Sequence, residues 1–293
     1  MSALSESISR RLTLGQLKGR YGLTLVPDFA EPVTVTSLVD DLPSVRPGSL
    51  YVPADRQVDQ GMIEEAELRG AYAALLPTSA RQEVGRARIP LLFGTMHAWQ
   101  MGQLLANAAG DPSGALAVFA LVGSQVQDQV DLLADFLHVL GNPVGILSAK
   151  GSYSLDRRLD LEYPLSMFDV QRSLSIALED GAAAVVISVD DQTLARDALQ
   201  AVDLDVVALG AQEGSTRDMR HVRLISRARR YGFNLGGHTI VAKRNEESDG
   251  LARQSLPADA NSDDLSLCIA MTMAAGVKRN NIRSALRVSR EMS

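Results

Sequence analysis

Val118-Phe119-Ala120-Leu121-Val122-Gly123-Ser124-Gln125-Val126-Gln127-Asp128-Gln129-Val130 is the stretch on which the reading of this chain turns. The apolar run from Ala117 to Val122 reads as a buried strand, and Gly123 makes a turn. Val126, Val130, Leu133, Phe136, Leu137 and Leu140 then recur at helical spacing. Strand, glycine turn and helix is the layout in which a P-loop cradles phosphates on backbone N–H groups. The chemistry differs from the layout. A P-loop needs a small residue, a Lys for the phosphates and a Ser or Thr for Mg²⁺, and here those positions hold Val126, Gln127 and Asp128. Asp128 sets a negative charge where a polyphosphate would sit. At ~4 Å, two like charges repel by about 4 kcal/mol at an effective dielectric of about 20. The alternative reading is an ordinary strand–turn–helix that holds no nucleotide.

Working outward, 293 residues suffice for one large core or two medium ones. Hydrophobic residues make up 46% and charged residues 22%, ordinary for a globular protein. No apolar run approaches the roughly 18 residues of a membrane span. The polar start, Met1 to Ser7, has no apolar segment after it, so no membrane insertion and a cytoplasmic location are expected. The net charge of −6 argues against nucleic acid, whose binding needs a basic face. One window is basic: Arg217, Arg220, Arg223, Arg227, Arg229 and Arg230. It reads either as a solvated face or as a patch for an anion or an acidic partner.

Strand patterns fall at 33–39, 49–53, 71–76, 90–93, 117–122, 144–148, 182–189 and 205–209. Helical spacing falls at 8–17, 62–69, 96–109, 126–140, 168–178, 192–201, 263–275 and 280–288. Gly70 is placed to end the helix before it. The segment 236–263 is polar with few apolar anchors and reads as a loop. Gly110-Asp111-Pro112-Ser113-Gly114 is the strongest break in mid-chain, giving expected domains of 1–112 and 113–293. Strands alternating with helices predict an α/β fold: a small α/β domain, then a mostly parallel sheet of P-loop type.

Few other residues suggest chemistry. His97, His138, His221 and His238 show no metal-ligand spacing, and one cysteine, Cys268 in an apolar stretch, excludes a cysteine cluster. No metal site is expected. Cys268 reads as a buried small hydrophobe. Asp190-Asp191, at the end of an apolar run, reads as turn and cap residues or as the remnant of a Mg²⁺ site.

The order of segments carries a resemblance. Asp41-Leu42-Pro43-Ser44-Val45-Arg46-Pro47-Gly48-Ser49-Leu50-Tyr51-Val52-Pro53, then Asp59-Gln60-Gly61, then Glu65 to Leu75, resembles the N-terminal domain of the Mur ligases. It is most similar to the members that add the third residue of the peptidoglycan stem peptide. Ala108 to Ser113 is similar to the family's junction before its ATP-binding central domain. Ala120–Ser124 falls at its P-loop, Pro164–Gln171 resembles its Thr-Thr-Pro…Leu-Gln segment, and Ala182–Leu194 its strand ending in Glu-Val-Ser-Ser-His. Asp263–Leu286 resembles the helices that close its central domain.

The resemblance implies where the family's chemistry would fall. The P-loop Lys and Thr fall on Gln127 and Asp128 beside Gly123 and Ser124. The Mg²⁺-binding Glu falls on Ser188 and a nearby His on Gln192. The family's Ser and Arg near the UDP moiety fall on Leu42 and Pro43, and its Thr-Thr pair near 161–163 is absent. No counterpart of its carbamylated-lysine segment or of its C-terminal domain is found. Mur ligases form an acyl-phosphate from ATP, which depends on cationic stabilisation by Lys and Mg²⁺. ATP and Mg²⁺ binding are therefore not expected, and no cofactor is expected. The expected function is that of an inactive pseudoenzyme. It would act as a binding, scaffold or regulatory protein in cell-envelope assembly, with a protein partner or a homo-oligomer. The alternatives are a sensor of a UDP-sugar or nucleotide, and an ATP-dependent acid–amino-acid ligase with an atypical site.

Overall fold

A computed structural model describes residues 12–54, 57–85, 87–210, 217–255 and 262–292. The chain divides into two compact units, Met1–Asp111 and Pro112–Ser293.

In the first unit, β1 (Leu12–Thr13) leads into α1 (Leu14–Tyr21), followed by β2 (Thr24–Val26), β3 (Thr34–Val35), β4 (Ser37–Val39) and β5 (Ser49–Tyr51). Then come α2 (Gln60–Leu68), β6 (Ala73–Leu76), β7 (Leu91–Phe93) and α3 (Ala98–Ala108). The sheet order is β2-β7-β6-β5-β4, parallel except for β2, with β1 and β3 pairing separately. The first helix is expected over 8–17 but begins at Leu14, and residues 1–11 lie outside the described part. Its start is set by a capping box: the Gln16 N–H donates to Thr13 Oγ1, and the Thr13 N–H donates to Gln16 Oε1. Gly70 follows α2 at φ +98°, and a Cβ there would lie 3.2 Å from the Pro47 nitrogen. Glycine is required on both counts.

The second unit carries β8 (Ala117–Val122), α4 (Gln127–Val139), β9 (Val144–Leu147), β10 (Ser152–Ser154) and β11 (Arg157–Leu159). It continues with α5 (Met167–Glu179), β12 (Ala184–Val189), β13 (Val206–Leu209), α6 (Arg217–Tyr231) and β14 (Ile240–Val241). It ends with α7 (Glu246–Ser255), α8 (Asp263–Ala274) and α9 (Arg279–Met292). The sheet order is β11-β10-β9-β12-β8-β13-β14, parallel from β9 to β14, with the antiparallel hairpin β10–β11 at one edge. The fold is thus α/β with mostly parallel sheets.

Both faces of this sheet are covered. Phe119 and Leu121 of β8 join Val130 and Leu133 of α4 and Ile269 of α8 in one core. Val118, Ala120 and Val122 join Leu174 of α5 and Leu224 and Tyr231 of α6 in another. Alternate residues serving opposite cores explain why β8, and β12 apart from Ser188, read as apolar runs. At about 25 cal/mol per Å² of apolar surface, this double burial is the main stabilising contribution.

Two expectations are corrected. The segment 192–201 does not form the expected helix. Its backbone bonds sideways instead: Leu165 N–H donates to Thr193 C=O, and Ala195 N–H to Leu165 C=O. Asp197 and Ala201 also take positive φ, which ends any helical run. The polar segment 236–263 holds β14 and α7 rather than only a loop, residues 256–261 lying outside the described part. The α7 start is fixed by Asn245 and Ser248, each side chain accepting the other's backbone N–H. Its buried face includes Ser248, whose hydroxyl meets Ser266 of α8 at 2.9 Å. A polar residue at a core position hid the helix from a count of apolar anchors.

Candidate functional site

Three turns leave the larger sheet at one level. β12, β8 and β13 are adjacent and parallel, with Val189, Val122 and Leu209 in register at their ends. Asp190, Gly123 and Gly210 follow them. The Gly123 N–H donates to Val189 C=O at 3.3 Å and the Gly210 N–H to Val122 C=O at 3.0 Å. This carboxyl edge of a parallel sheet is where α/β proteins gather ligands.

Side chains of the chain itself occupy this edge. Val126 is 1% exposed. A Cβ on Gly210 would lie 2.6 Å from Val126 Cγ1 and 3.2 Å from Gln129 Oε1. Where a phosphate-binding turn keeps a small residue, this turn packs an isopropyl group, and Gly210 makes room for it. Val126 also leaves α4 without a side-chain cap, while Asp128 in the first turn complements the helix dipole. Ser124 is exposed.

Asp190 is the hub of a polar network. It is 2% exposed. Its Oδ1 accepts the backbone N–H groups of Gln192 at 2.8 Å and Thr193 at 2.9 Å. Its Oδ2 accepts from Gln127 Nε2 at 3.1 Å, from Thr193 Oγ1 at 3.2 Å, and from the buried Ser188 hydroxyl. Thr193 Oγ1 accepts the Ala149 N–H at 3.0 Å, which ties in the loop after β9. Gln127, Ser188 and Gln192 therefore come together, Gln192 through its backbone only. Of the two readings given to Asp190, the geometry is that of a turn-capping carboxylate with every oxygen engaged.

Asp128 is paired elsewhere. Lys150 Nζ lies 2.8 Å from Asp128 Oδ1 and 2.8 Å from Asp131 Oδ2. The hydrogen bonds that Lys150 donates to these two carboxylates raise its pKa above the usual lysine value. One cation between two acids leaves a local charge of −1 (+1 − 2). The window Ser124–Leu137 holds no Lys or Arg, and Lys150 enters it only through the fold.

Asp191 turns to α6. Tyr231 OH donates to Asp191 Oδ1, and Arg230 Nε approaches the same oxygen at 2.8 Å and Arg227 at 3.5 Å. The Tyr231 hydrogen bond, with help from Arg230 and Arg227, holds the Asp191 carboxyl below the usual range. Burial, then Asp191, pushes the Tyr231 hydroxyl up to about 12. The arginine window is thus a helix whose Leu224, Ala228 and Tyr231 are buried, with Arg227 and Arg230 held to Asp191. Arg220, Arg223, Arg229 and Arg230 are exposed, and the side chain of Arg217 lies outside the described part. The four histidines are exposed and lie on separate segments. Cys268 is 1% exposed, and burial raises its thiol pKa well above the usual value.

No protein-family model matches the sequence. Among solved structures, the chain is similar to MurF from Acinetobacter baumannii, with a TM-score of 0.58 and 15% identity over 95% of this chain and 67% of that one. It is also similar to a UDP-N-acetylmuramoyl-L-alanyl-D-glutamate–2,6-diaminopimelate ligase, with a TM-score of 0.57 and 11% identity over 96% of this chain and 67% of that one. Identities this low speak to architecture and not to chemistry. Among the described residues no helix is long and apolar enough to cross a membrane. The protein has a Mur ligase-like fold.

Proposed function

We propose that this protein is a non-catalytic member of the Mur ligase-like fold, serving as a binding, scaffold or regulatory protein in cell-envelope assembly. Its two units would correspond to the N-terminal and central domains of that fold. One observation carries the reading. At the turn Gly123–Asp128, the chain's own groups fill the space beside Gly210 and bond to one another. Val126 packs on Gly210, Gln127 bonds to Asp190, and Lys150 is held between two carboxylates. Phosphoryl transfer relies on unspent positive charge at the phosphates, and the local charge here is negative.

Thermal-shift titration with Mg-ATP, Mg-ADP and a UDP-N-acetylmuramoyl peptide tests it. A ligand of the native state at a hundredfold excess over its Kd adds about 2.7 kcal/mol of stability. No shift with either nucleotide is expected. A shift with Mg-ATP would overturn the reading of the turn, and a shift with the UDP compound alone would make the protein a sensor.

A further inference from the structure

The larger sheet presents opposite charge on its two sides. α6 packs on one face through Leu224, Ala228 and Tyr231, and α4 packs on the other through Val130, Leu133 and Leu137. Outward from the sheet, α6 shows Arg223 and Arg229 flanking Met219 (46% exposed) and Val222 (66%), while Arg230 is held to Asp191. This helix holds six arginines and one acid, Asp218, for a charge of +5, so the remainder of the chain sums to −11 (−6 − 5). On the opposite side, α4 shows Asp128, Asp131 and Asp135 at i, i+3 and i+7, one stripe of a helix. Asp128 is 91% exposed and Asp135 is exposed. With Lys150 paired to two of the three acids, the stripe carries a net −2 (+1 − 3).

We propose that copies of this chain associate head to tail, the arginine-rich outer face of α6 on one copy docking on the Asp128–Asp131–Asp135 stripe of α4 on the next. The charges are complementary. α6 has arginine and no lysine. Guanidinium forks match carboxylates in a way that a bare ammonium does not. An anionic membrane surface would repel the acidic remainder of the chain. Because the two surfaces lie on opposite faces of one sheet, they cannot meet within a protomer. The contact is heterologous and builds a ring or a filament. The inference deepens the scaffold reading by naming the partner as a second copy.

Sedimentation velocity on the full chain tests it. In low salt, the weight-average mass should rise above 31.5 kDa as protein concentration increases. It should return to that value in about 1 M salt, where the Debye length is about 3 Å. Two charge reversals are then made, Arg223→Glu with Arg229→Glu, and Asp128→Arg with Asp135→Arg, each checked for folding by circular dichroism. Each variant alone should sediment as a monomer, and the mixture should associate again, because reversed faces now complement each other. A monomeric wild type, association by either variant alone, or a mixture of folded variants that stays monomeric would overturn the proposal. So would a monomeric wild type that co-sediments with phosphatidylserine vesicles, which would assign α6 to a membrane surface. None of these outcomes depends on the nucleotide titration, so the two readings fail separately.

Discussion

Replacing Asp190 with alanine should destabilise the second unit by about 4 kcal/mol. Ser188 and Thr193 are fully buried, and the Ser188 hydroxyl and the Thr193 N–H both donate to this carboxylate. The Thr193 hydroxyl is a third donor to it. Each buried donor left without an acceptor costs ~1–3 kcal/mol. The Gln192 N–H and the Gln127 amide lie nearer the surface and can turn to water, so they add little. Two to three orphaned donors give the stated sum, a large share of the roughly 5–15 kcal/mol of a domain. Asp190→Asn should lose about half as much, since its carbonyl still accepts the two backbone N–H groups while its NH₂ faces donors. Urea titration followed by far-UV circular dichroism measures both. A loss below about 1 kcal/mol for the alanine variant, or an asparagine variant as damaged as the alanine one, would refute the network argument. Were Asp190 kept as a magnesium ligand, Mg²⁺ would raise the midpoint of the wild type and not that of Asp190→Asn. The network reading expects no such difference.

Two further outcomes follow from the same region. Gly210→Ala should cost about 1–3 kcal/mol by overpacking against Val126, and Val126→Ala in that background should recover part of the loss. Additive losses in this double-mutant cycle would show that the two side chains do not compete for the space. The Tyr231–Asp191 pair sets limits on both sides of neutrality. With the Tyr231 pKa raised from 10 to about 12, its contribution is complete below pH 10 and is lost as pH rises from there toward 12. With the Asp191 pKa lowered, its contribution holds above the ordinary carboxylate pKa and is lost as pH falls through the depressed value. Tyr231→Phe should flatten the alkaline limb and move the acid limb to higher pH. An unchanged profile in denaturant titrations across pH would contradict the assignment.

β8 reads correctly from Ala117 to Val122 because a strand buried on both faces is apolar throughout. α4 reads correctly because its buried positions keep helical spacing. α7 escaped because Ser248 and Ser266 satisfy each other inside the core, so hydrophobicity does not mark the helix. The turns at 192–201 read as helix because apolar spacing there is helical, while the backbone bonds go to Leu165. The arginine window gave no hint of which arginines would be held, since Asp191 lies far from it in the chain.

The sequence by itself determined the alternation of strands and helices, the turn at Gly123 and the absence of Lys and Arg from Ser124 to Leu137. Those are local properties, carried by periodicity and residue identity within a dozen positions. Tertiary structure alone decided that β12 and β13 flank β8, and so that the turns at Asp190, Gly123 and Gly210 meet. It brought Asp190 to Gln127 across 63 residues, Lys150 to Asp128 across 22 and Asp191 to Tyr231 across 40. Strand order is fixed by how two apolar faces are buried at once. A polar pair made by that order leaves no periodic trace in the chain.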